Sequence, residues 1–215
     1  MGLQTTLRNR IQCAGVGLHT GEDVRMVLRP AGPNTGIVFR RTDVDPETGV
    51  VPAKYDLVSH TTLGTTITNA HGVGVATVEH LMAALAGLEV DNAIVELNGP
   101  EVPIMDGSAA PFVFLIECAG IDEINEPRKV IEVLKPICVR DGDKFARVEP
   151  HDGFEVDIQI DFDSQAIRSQ RCRLDLAPET FTAVMAKART FGFLEDVSRL
   201  QAAGLARGGS LENSI

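Results

Sequence analysis

Most of the chain alternates apolar and polar residues over short stretches, whereas apolar residues recur at helical spacing in four places. Stretches rich in Val, Ile and Phe, bounded by turn-forming residues, predict β-strands. These strands are residues 6–13, 24–28, 36–41, 91–97, 130–134, 145–149, 154–162 and 168–174. Helical spacing predicts α-helices at residues 78–86, 109–119, 179–189 and 194–203. The first half has several strands followed by a helix, a strand and a helix, and the second half has a similar mixture of strands and helices. This order predicts an α+β fold with two units.

A domain boundary is predicted at residues 125–128, which read Asn-Glu-Pro-Arg. This segment is polar, contains a proline and follows a helix that is expected to end near Gly120. The first α+β domain would then be residues 1–125 and the second residues 129–215. No residue-level repeat is visible between the two halves.

The predicted helix at residues 78–86 has one apolar face and one unusual face. Thr77 is the expected N-cap and Gly87 the expected C′ residue. The apolar face, which should pack on a core, consists of Val78, Leu81, Met82, Leu85 and Leu88. The opposite face carries Glu79, His80, Ala83 and Ala84. Because small residues replace the usual charged ones, we expect this side to be packed against protein as well.

Glu79 and His80 would lie in the first turn of this helix, near its positive end. That position favours an ionised carboxylate and a neutral imidazole. A general base and a metal ligand require these two states. The residues alone also allow an ordinary structural role, in which Glu79 complements the helix dipole and His80 is a satisfied polar side chain. One histidine is not a metal site, and the adjacent pair matches neither His-Glu-x-x-His nor His-x-x-Glu-His.

Composition excludes several classes of protein. The chain has 215 residues, of which 44% are hydrophobic and 23% charged, so it can form a core and is not intrinsically disordered. Its net charge of −10 argues against a general nucleic-acid binder. An anionic ligand would therefore need a local basic pocket. No apolar run approaches the roughly 18 residues of a membrane span, so no stable membrane insertion is expected.

The amino terminus and the cysteines indicate a cytoplasmic protein. Residues 1–6 lack the basic and apolar regions of a secretory signal. The cysteines are far apart and form no Cys-x-x-Cys pair: they are Cys13, Cys118, Cys138 and Cys172. We expect four reduced and mostly buried thiols.

Residues 77–87, TVEHLMAALAG, resemble the signature helix of the UDP-3-O-acyl-N-acetylglucosamine deacetylases, zinc enzymes of lipid A biosynthesis. Four further segments are similar to the family in the same order along the chain. They are residues 15–21 (GVGLHTG), 40–43 (RRTD), 103–112 (PIMDGSAAPF) and 188–193 (ARTFGF). The resemblance implies two similar two-layer units, each a mainly antiparallel sheet, with helices packed between the sheets.

The resemblance implies that Zn²⁺ supports removal of the N-acetyl group, which leaves a free amine and acetate. His80 would be one zinc ligand, Glu79 the general base and Thr190 a donor to the oxyanion. Positions that line the site or its acyl passage are Leu18, His19, Leu63, Phe191 and Phe193. His19 is not assigned as a metal ligand. A Gly-flanked turn at residues 17–21 and plain packing of the two phenylalanines remain open as structural alternatives.

The family's nucleotide contacts correspond to Lys144, Asp161 and Phe162. Lys144 would meet a phosphate and Phe162 would stack on uracil. Without the resemblance, these are surface or core residues of strands. The implied substrate is a UDP-linked acylated amino sugar, bound by a protein that is monomeric at full length.

The family takes its other two zinc ligands from a later segment that this sequence does not contain. The second unit is therefore expected to be incomplete, and the chain to bind zinc weakly. An alternative function is that of a non-catalytic α+β module that binds UDP or an acyl chain.

Overall fold

Fourteen strands and four helices make up the computed structural model, which describes residues 2–214. The strands are β1 (Leu3–Leu7), β2 (Ile11–Val16), β3 (Asp23–Pro30), β4 (Ile37–Arg41), β5 (Val50–Pro52), β6 (Val58–His60), β7 (Thr66–Thr68), β8 (Gly74–Val75), β9 (Ala93–Leu97), β10 (Ile121–Pro127), β11 (Ile137–Asp141), β12 (Lys144–Val148), β13 (Glu155–Asp161) and β14 (Ser169–Asp175). The helices are α1 (Glu79–Gly87), α2 (Ala110–Ala119), α3 (Pro178–Thr180), which continues as a π-helical turn at Phe181–Met185, and α4 (Leu194–Ala202). A short 3-10 helix lies at Tyr55–Leu57. This mixture confirms the α+β class.

A five-stranded sheet in the order β2-β3-β9-β4-β5 supports the main core. All neighbours are antiparallel except β4 and β9, which are parallel. Alternate residues of β3, namely Val24, Met26 and Leu28, are buried, as period-2 side-chain orientation requires. Helices α1 and α2 pack against each other, and buried residues of both belong to the same core. The sheet and these helices fix the position of the first turn of α1.

The remaining strands form smaller sheets. Strands β6, β7 and β8 form a three-stranded sheet, and β1 pairs with β10. Strands β11 and β12 pair as one hairpin and β13 and β14 as another. Within residues 2–214, no helix is long and apolar enough to cross a membrane. The predicted boundary overlaps β10, and the division into two units remains a prediction.

Three predicted elements differ from the structure. The predicted strand at 6–13 is wrong as a single element, because residues 8–10 separate β1 from β2. Here the N–H groups of Arg8 and Asn9 donate to the carbonyls of Gly120 and Ala119 instead of to a neighbouring strand. The strand predicted at 130–134 is also wrong, because these residues lie between β10 and β11 and form no strand. The helix predicted at 179–189 ends early, at Met185.

The core-facing stripe of α1 is confirmed, but its capping prediction is wrong. Val78, and not Thr77, is the N-cap residue, and it makes no side-chain capping bond. Thr77 has a φ of 56° and donates its hydroxyl to Glu101 over 2.9 Å. Gly87 is the last helical residue, and a side chain there would collide with the Phe181 ring. Glycine at position 87 is therefore explained by close packing.

Two burial predictions also fail. The second packed face of α1 was expected to include Ala83, but Ala83 is exposed while Ala84 is buried. The four cysteines are free, as expected. Three of them, Cys118, Cys138 and Cys172, are exposed. Cys138 and Cys172 lie on β11 and β14, whose residues are almost all exposed, so burial cannot be assumed from residue type alone.

Candidate active site

A strap formed by residues 63–65 crosses the first turn of α1 and holds Glu79. The Thr65 N–H donates to Glu79 Oε2 over 2.9 Å, and the Val78 N–H donates to the Thr65 carbonyl over 3.3 Å. A side chain at Gly64 would start 3.3 Å from Glu79 Oε1 and 3.5 Å from His19 Nε2. Glycine at this position keeps the space between the two side chains open. Glu79 is therefore oriented through one oxygen, and its other oxygen faces this space.

His80 lies beside Glu79 and is half-buried. Burial lowers the pKa of the His80 imidazole below its ordinary value of 6.5, and the nearby carboxyl groups of Glu79 and Asp106 partly oppose this shift. In the described part of the chain, His80 makes no side-chain hydrogen bond. Every fully buried side-chain nitrogen there has a hydrogen-bond partner, so the unbonded ring nitrogens of His80 are not fully buried. They can therefore bind an external ligand. A neutral, unbonded imidazole is the form that ligates a metal.

The shift in His80 predicts a pH dependence of stability. The folded state binds a proton at His80 less readily than the unfolded state, so the contribution is fully present above pH 6.5. It is lost as the pH falls through this value towards the lower pKa of the folded protein. Denaturant unfolding between pH 7 and pH 5 should show this loss, and His80→Gln should remove this part of it. An NMR titration midpoint for His80 at or above 6.5 would contradict the prediction.

His19 reaches the same strap from the loop that follows β2. His19 Nε2 lies 3.1 Å from the Leu63 carbonyl oxygen, and the Ala206 N–H lies 3.3 Å from His19 Nδ1. These partners assign a proton to Nε2 and leave Nδ1 as the acceptor. Both ring nitrogens are thus bonded to protein. His19 orients the strap and is not a free metal ligand.

Residues 204–214 lie against the His19 loop through backbone hydrogen bonds. Arg207 and Gly208 donate their N–H groups to the carbonyls of His19 and Leu18, over 3.3 Å and 3.0 Å. The predicted site residue Leu18 therefore lies under this segment, and its Cδ1 would be 3.7 Å from a Cβ at Gly209. No sequence pattern indicated this contact, because it depends on backbone groups far apart in the chain.

Thr190 is connected to the same region through the turn at residues 105–108. The Thr190 N–H donates to the Gly107 carbonyl over 2.8 Å. Asp106 directly precedes Gly107, and its charge acts to raise the pKa of His80. Arg189 donates to the carbonyls of Asp106 and Glu212, each over 2.7 Å. The backbone of the half-buried Thr190 is therefore held next to the turn that contains Asp106.

Three predicted phenylalanines form one cluster. The ring centroids of Phe162 and Phe191 are 5.2 Å apart, and those of Phe191 and Phe193 are 6.1 Å apart, both pairs edge to face. Phe162 and Phe193 are also 6.1 Å apart. Phe162 and Phe191 are exposed by 36% and 38%. The cluster thus combines aromatic packing with an apolar surface that a ligand can contact.

Lys144 and Asp161 are not brought to Glu79 by a contact within residues 2–214. Lys144 begins β12 opposite Asp141, and Asp161 ends β13 opposite Ser169. Both side chains are exposed. Asp161 precedes Phe162 and so lies at the edge of the aromatic cluster, and the assignments of both residues remain predictions.

Metal-ligating groups converge elsewhere in the described residues. His151, Glu155 and Asp175 place one ligand atom each within 4.8 Å of one another. This group does not include His80, and Glu155 pairs with Arg173 over 2.9 Å. Around His80, residues 2–214 provide no such group of three. The residues described here therefore fit one ligand of a three-ligand catalytic zinc site.

Glu101 is the main site residue that sequence reasoning missed. It is fully buried and accepts hydrogen bonds from the His19 loop and from Thr77. An acidic residue directly before Val102, Pro103 and Ile104 could have signalled it, because a charge in an apolar run needs dedicated partners.

Comparison with known proteins finds relatives that align with nearly the whole chain. Residues 4–215 match the sequence profile of the family described as UDP-3-O-acyl N-acetylglycosamine deacetylase. A UDP-3-O-acyl-N-acetylglucosamine deacetylase of Pseudoalteromonas atlantica is 50% identical over 214 residues, 99% of this chain and 70% of the relative. Its counterpart from Methylococcus capsulatus is 51% identical over the same shares. That of Shewanella frigidimarina is 48% identical over 217 residues, 100% of this chain and 71% of the relative.

Proposed function

Since the chain belongs to the UDP-3-O-acyl N-acetylglycosamine deacetylase family, we propose that it hydrolyses the N-acetyl group of UDP-3-O-acyl-N-acetylglucosamine in lipid A biosynthesis. The roles of the residues are assigned from the geometry of the first turn of α1. There, one oxygen of Glu79 is fixed by the Thr65 N–H and the neighbouring imidazole of His80 is unbonded. The products are acetate and the free amine.

In this reaction Glu79 is the general base. Its Oε1, the oxygen that Thr65 leaves free, takes a proton from the attacking water while the water oxygen bonds to the acetamide carbon. The carbon–nitrogen bond then breaks, and the proton held on Glu79 returns to the leaving amine. Thr190 donates its hydroxyl to the oxyanion that forms on the carbonyl oxygen. Its position beside the turn at Asp106 supports this role.

We propose that the metal is Zn²⁺ and that His80 is one of its ligands. Bound zinc supplies Lewis acidity, which polarises a carbonyl and lowers the pKa of water. The neutral imidazole of His80 supports this assignment, because a protonated ring cannot ligate a metal.

The acyl chain of the substrate is proposed to lie on Phe191 and Phe193, whereas Phe162, in the same aromatic cluster, would stack on uracil. Partial exposure of the cluster supports this, since an alkyl chain laid on it would be removed from water. Leu18 and Leu63 would extend the apolar surface towards Glu79. The Lys144 ammonium group would pair with a phosphate of the UDP group, and its exposure leaves it accessible.

Acetate release from the UDP-linked substrate, measured with zinc and with a chelator, tests the proposal. We expect release only with zinc, and we expect His80→Ala to reduce the metal bound per chain. Calorimetry with UDP and with zinc separately tests the alternative function. Binding of UDP in the presence of a chelator, together with no bound zinc and no acetate release, would support a binding module and contradict the enzyme.

A further inference from the structure

Glu101 has no exposed surface, and its hydrogen-bond partners among residues 2–214 include no basic side chain. It lies beside Ala76 in an isolated bridge between two extended segments. Its Oε1 accepts hydrogen bonds from the His19 N–H and the Thr77 hydroxyl, each over 2.9 Å. Its Oε2 accepts from the Thr20 N–H and the Thr20 hydroxyl, also at 2.9 Å. Four neutral donors therefore take the place of a counter-ion.

Two donors lie at each oxygen of Glu101, so the side chain at this position must accept hydrogen bonds through both of its terminal atoms. A glutamine at position 101 would, in either orientation, direct its NH₂ group at the backbone N–H of His19 or of Thr20, and that N–H would lose its acceptor inside the core. An unpaired buried donor carries a large desolvation cost. The chemistry of the site thus selects glutamate over its isostere.

Glu101 also explains two local features of the loops that it joins. A side chain at Gly17 would collide with the Glu101 carboxylate and the Thr20 hydroxyl. Glycine at position 17 is therefore needed for the close approach. Thr77 has a φ of 56°, an unfavourable conformation for a β-branched residue. Its bond to Glu101 stabilises this conformation directly before α1.

Two routes lead from Glu101 to the Glu79 carboxylate. Through the His19 loop, Glu101 fixes the backbone of His19, whose ring donates to the Leu63 carbonyl at one end of the strap. Through Thr77, it fixes the start of α1, where Val78 donates to Thr65. The other end of the strap donates to Glu79. Glu101 therefore holds both supports of the strap that orients Glu79.

We propose that Glu101 is a positioning residue of the active site, which fixes the His19 ring and the strap at residues 63–65 so that Glu79 is held for proton transfer. The catalytic part of this inference rests on the proposed deacetylase function. Its structural part, the orientation and tautomer of His19, does not. The two parts are therefore tested by separate measurements.

The first measurement is the ¹⁵N NMR signature of His19 in Glu101→Gln, assigned with a His19→Gln variant. The wild type should show a single Nε2–H tautomer, and Glu101→Gln should show a mixture. Asn92→Asp is the matched control, because Asn92 is equally buried and its side chain bonds to Gln4 and Gly36, away from the site. The control should lower the melting temperature and leave the His19 signature unchanged. A wild-type signature in folded Glu101→Gln would overturn the proposal.

The second measurement is deacetylation kinetics. A small misplacement of reacting groups by a distant mutation can cost about 100-fold in rate, so Glu101→Gln should lower kcat by up to about that factor with KM nearly unchanged. Absence of activity in the wild type would refute the proposed function and leave the NMR test intact. A normal kcat in Glu101→Gln, with active wild type, would overturn the positioning role.

A second pair of variants covers the case in which Glu101→Gln does not fold. Thr77→Ser keeps the hydroxyl donor to Glu101, whereas Thr77→Ala removes it, and both keep a Cβ at the same φ. We expect the serine variant to retain the wild-type His19 signature and kcat. The alanine variant should lower kcat and broaden the signature. Equal behaviour of the two variants would overturn the proposal.

Discussion

Glu79→Gln should lower the rate of deacetylation by about 10²- to 10⁴-fold, the usual contribution of a general base. The amide has no basic oxygen to accept a proton from water. Its carbonyl oxygen can still accept the hydrogen bond from the Thr65 N–H, which holds the side chain of Glu79 in place. The fold and the bound metal should therefore be retained. Acetate release, with zinc content and melting temperature measured on the same preparation, checks this outcome.

Glu117→Gln is a suitable control, because Glu117 is an exposed glutamate on α2. It makes the same change of charge without reaching the site, so its rate should equal that of the wild type. If Glu79→Gln instead kept the wild-type rate, another group would be the base. If it lost zinc in proportion to activity, the effect would be on metal binding and not on proton transfer.

Local patterns predicted α1 well because its apolar positions all face one core. Leu81 and Leu85 are buried at helical spacing, as the sequence indicated. The strand predicted at 6–13 failed for a different reason. The strand is interrupted where the N–H groups of Arg8 and Asn9 find partners at Gly120 and Ala119, more than a hundred residues away. Such pairings are tertiary and leave no local signal in the sequence.

The candidate site shows the same division between local and distant information. The Glu79-His80 pair was visible because it interrupts a helical pattern. The strap at Thr65, the bonds from Ala206 to His19 and the burial of Glu101 were not visible. Each depends on loops that meet only in the folded chain. Resemblance to a family locates residue types, whereas the contacts that orient them come from the structure.

Docking of the segment that carries Thr190 depends on one aromatic ring. Phe181 is 5% exposed, and its ring packs directly on Gly87 at the end of α1. Gly87 has no side chain, so no neighbour can fill the space if the ring is removed. Thr190 and Phe191 follow Phe181, in the π-helical turn, by nine and ten residues. The ring therefore couples the stability of the core to the placement of these site residues.

Phe181→Ala should lower the free energy of unfolding by about 3–5 kcal/mol, the usual cost of removing a buried phenylalanine ring. The cavity against Gly87 would also loosen the segment at residues 178–191, so KM should rise. Phe145→Ala makes the same change at a ring that is 64% exposed, and surface changes usually stay within about 0.5 kcal/mol. Denaturant unfolding and hydrogen exchange at residues 178–191 measure both effects. Equal stability of the two variants would show that the contact with Gly87 does not hold this segment in place.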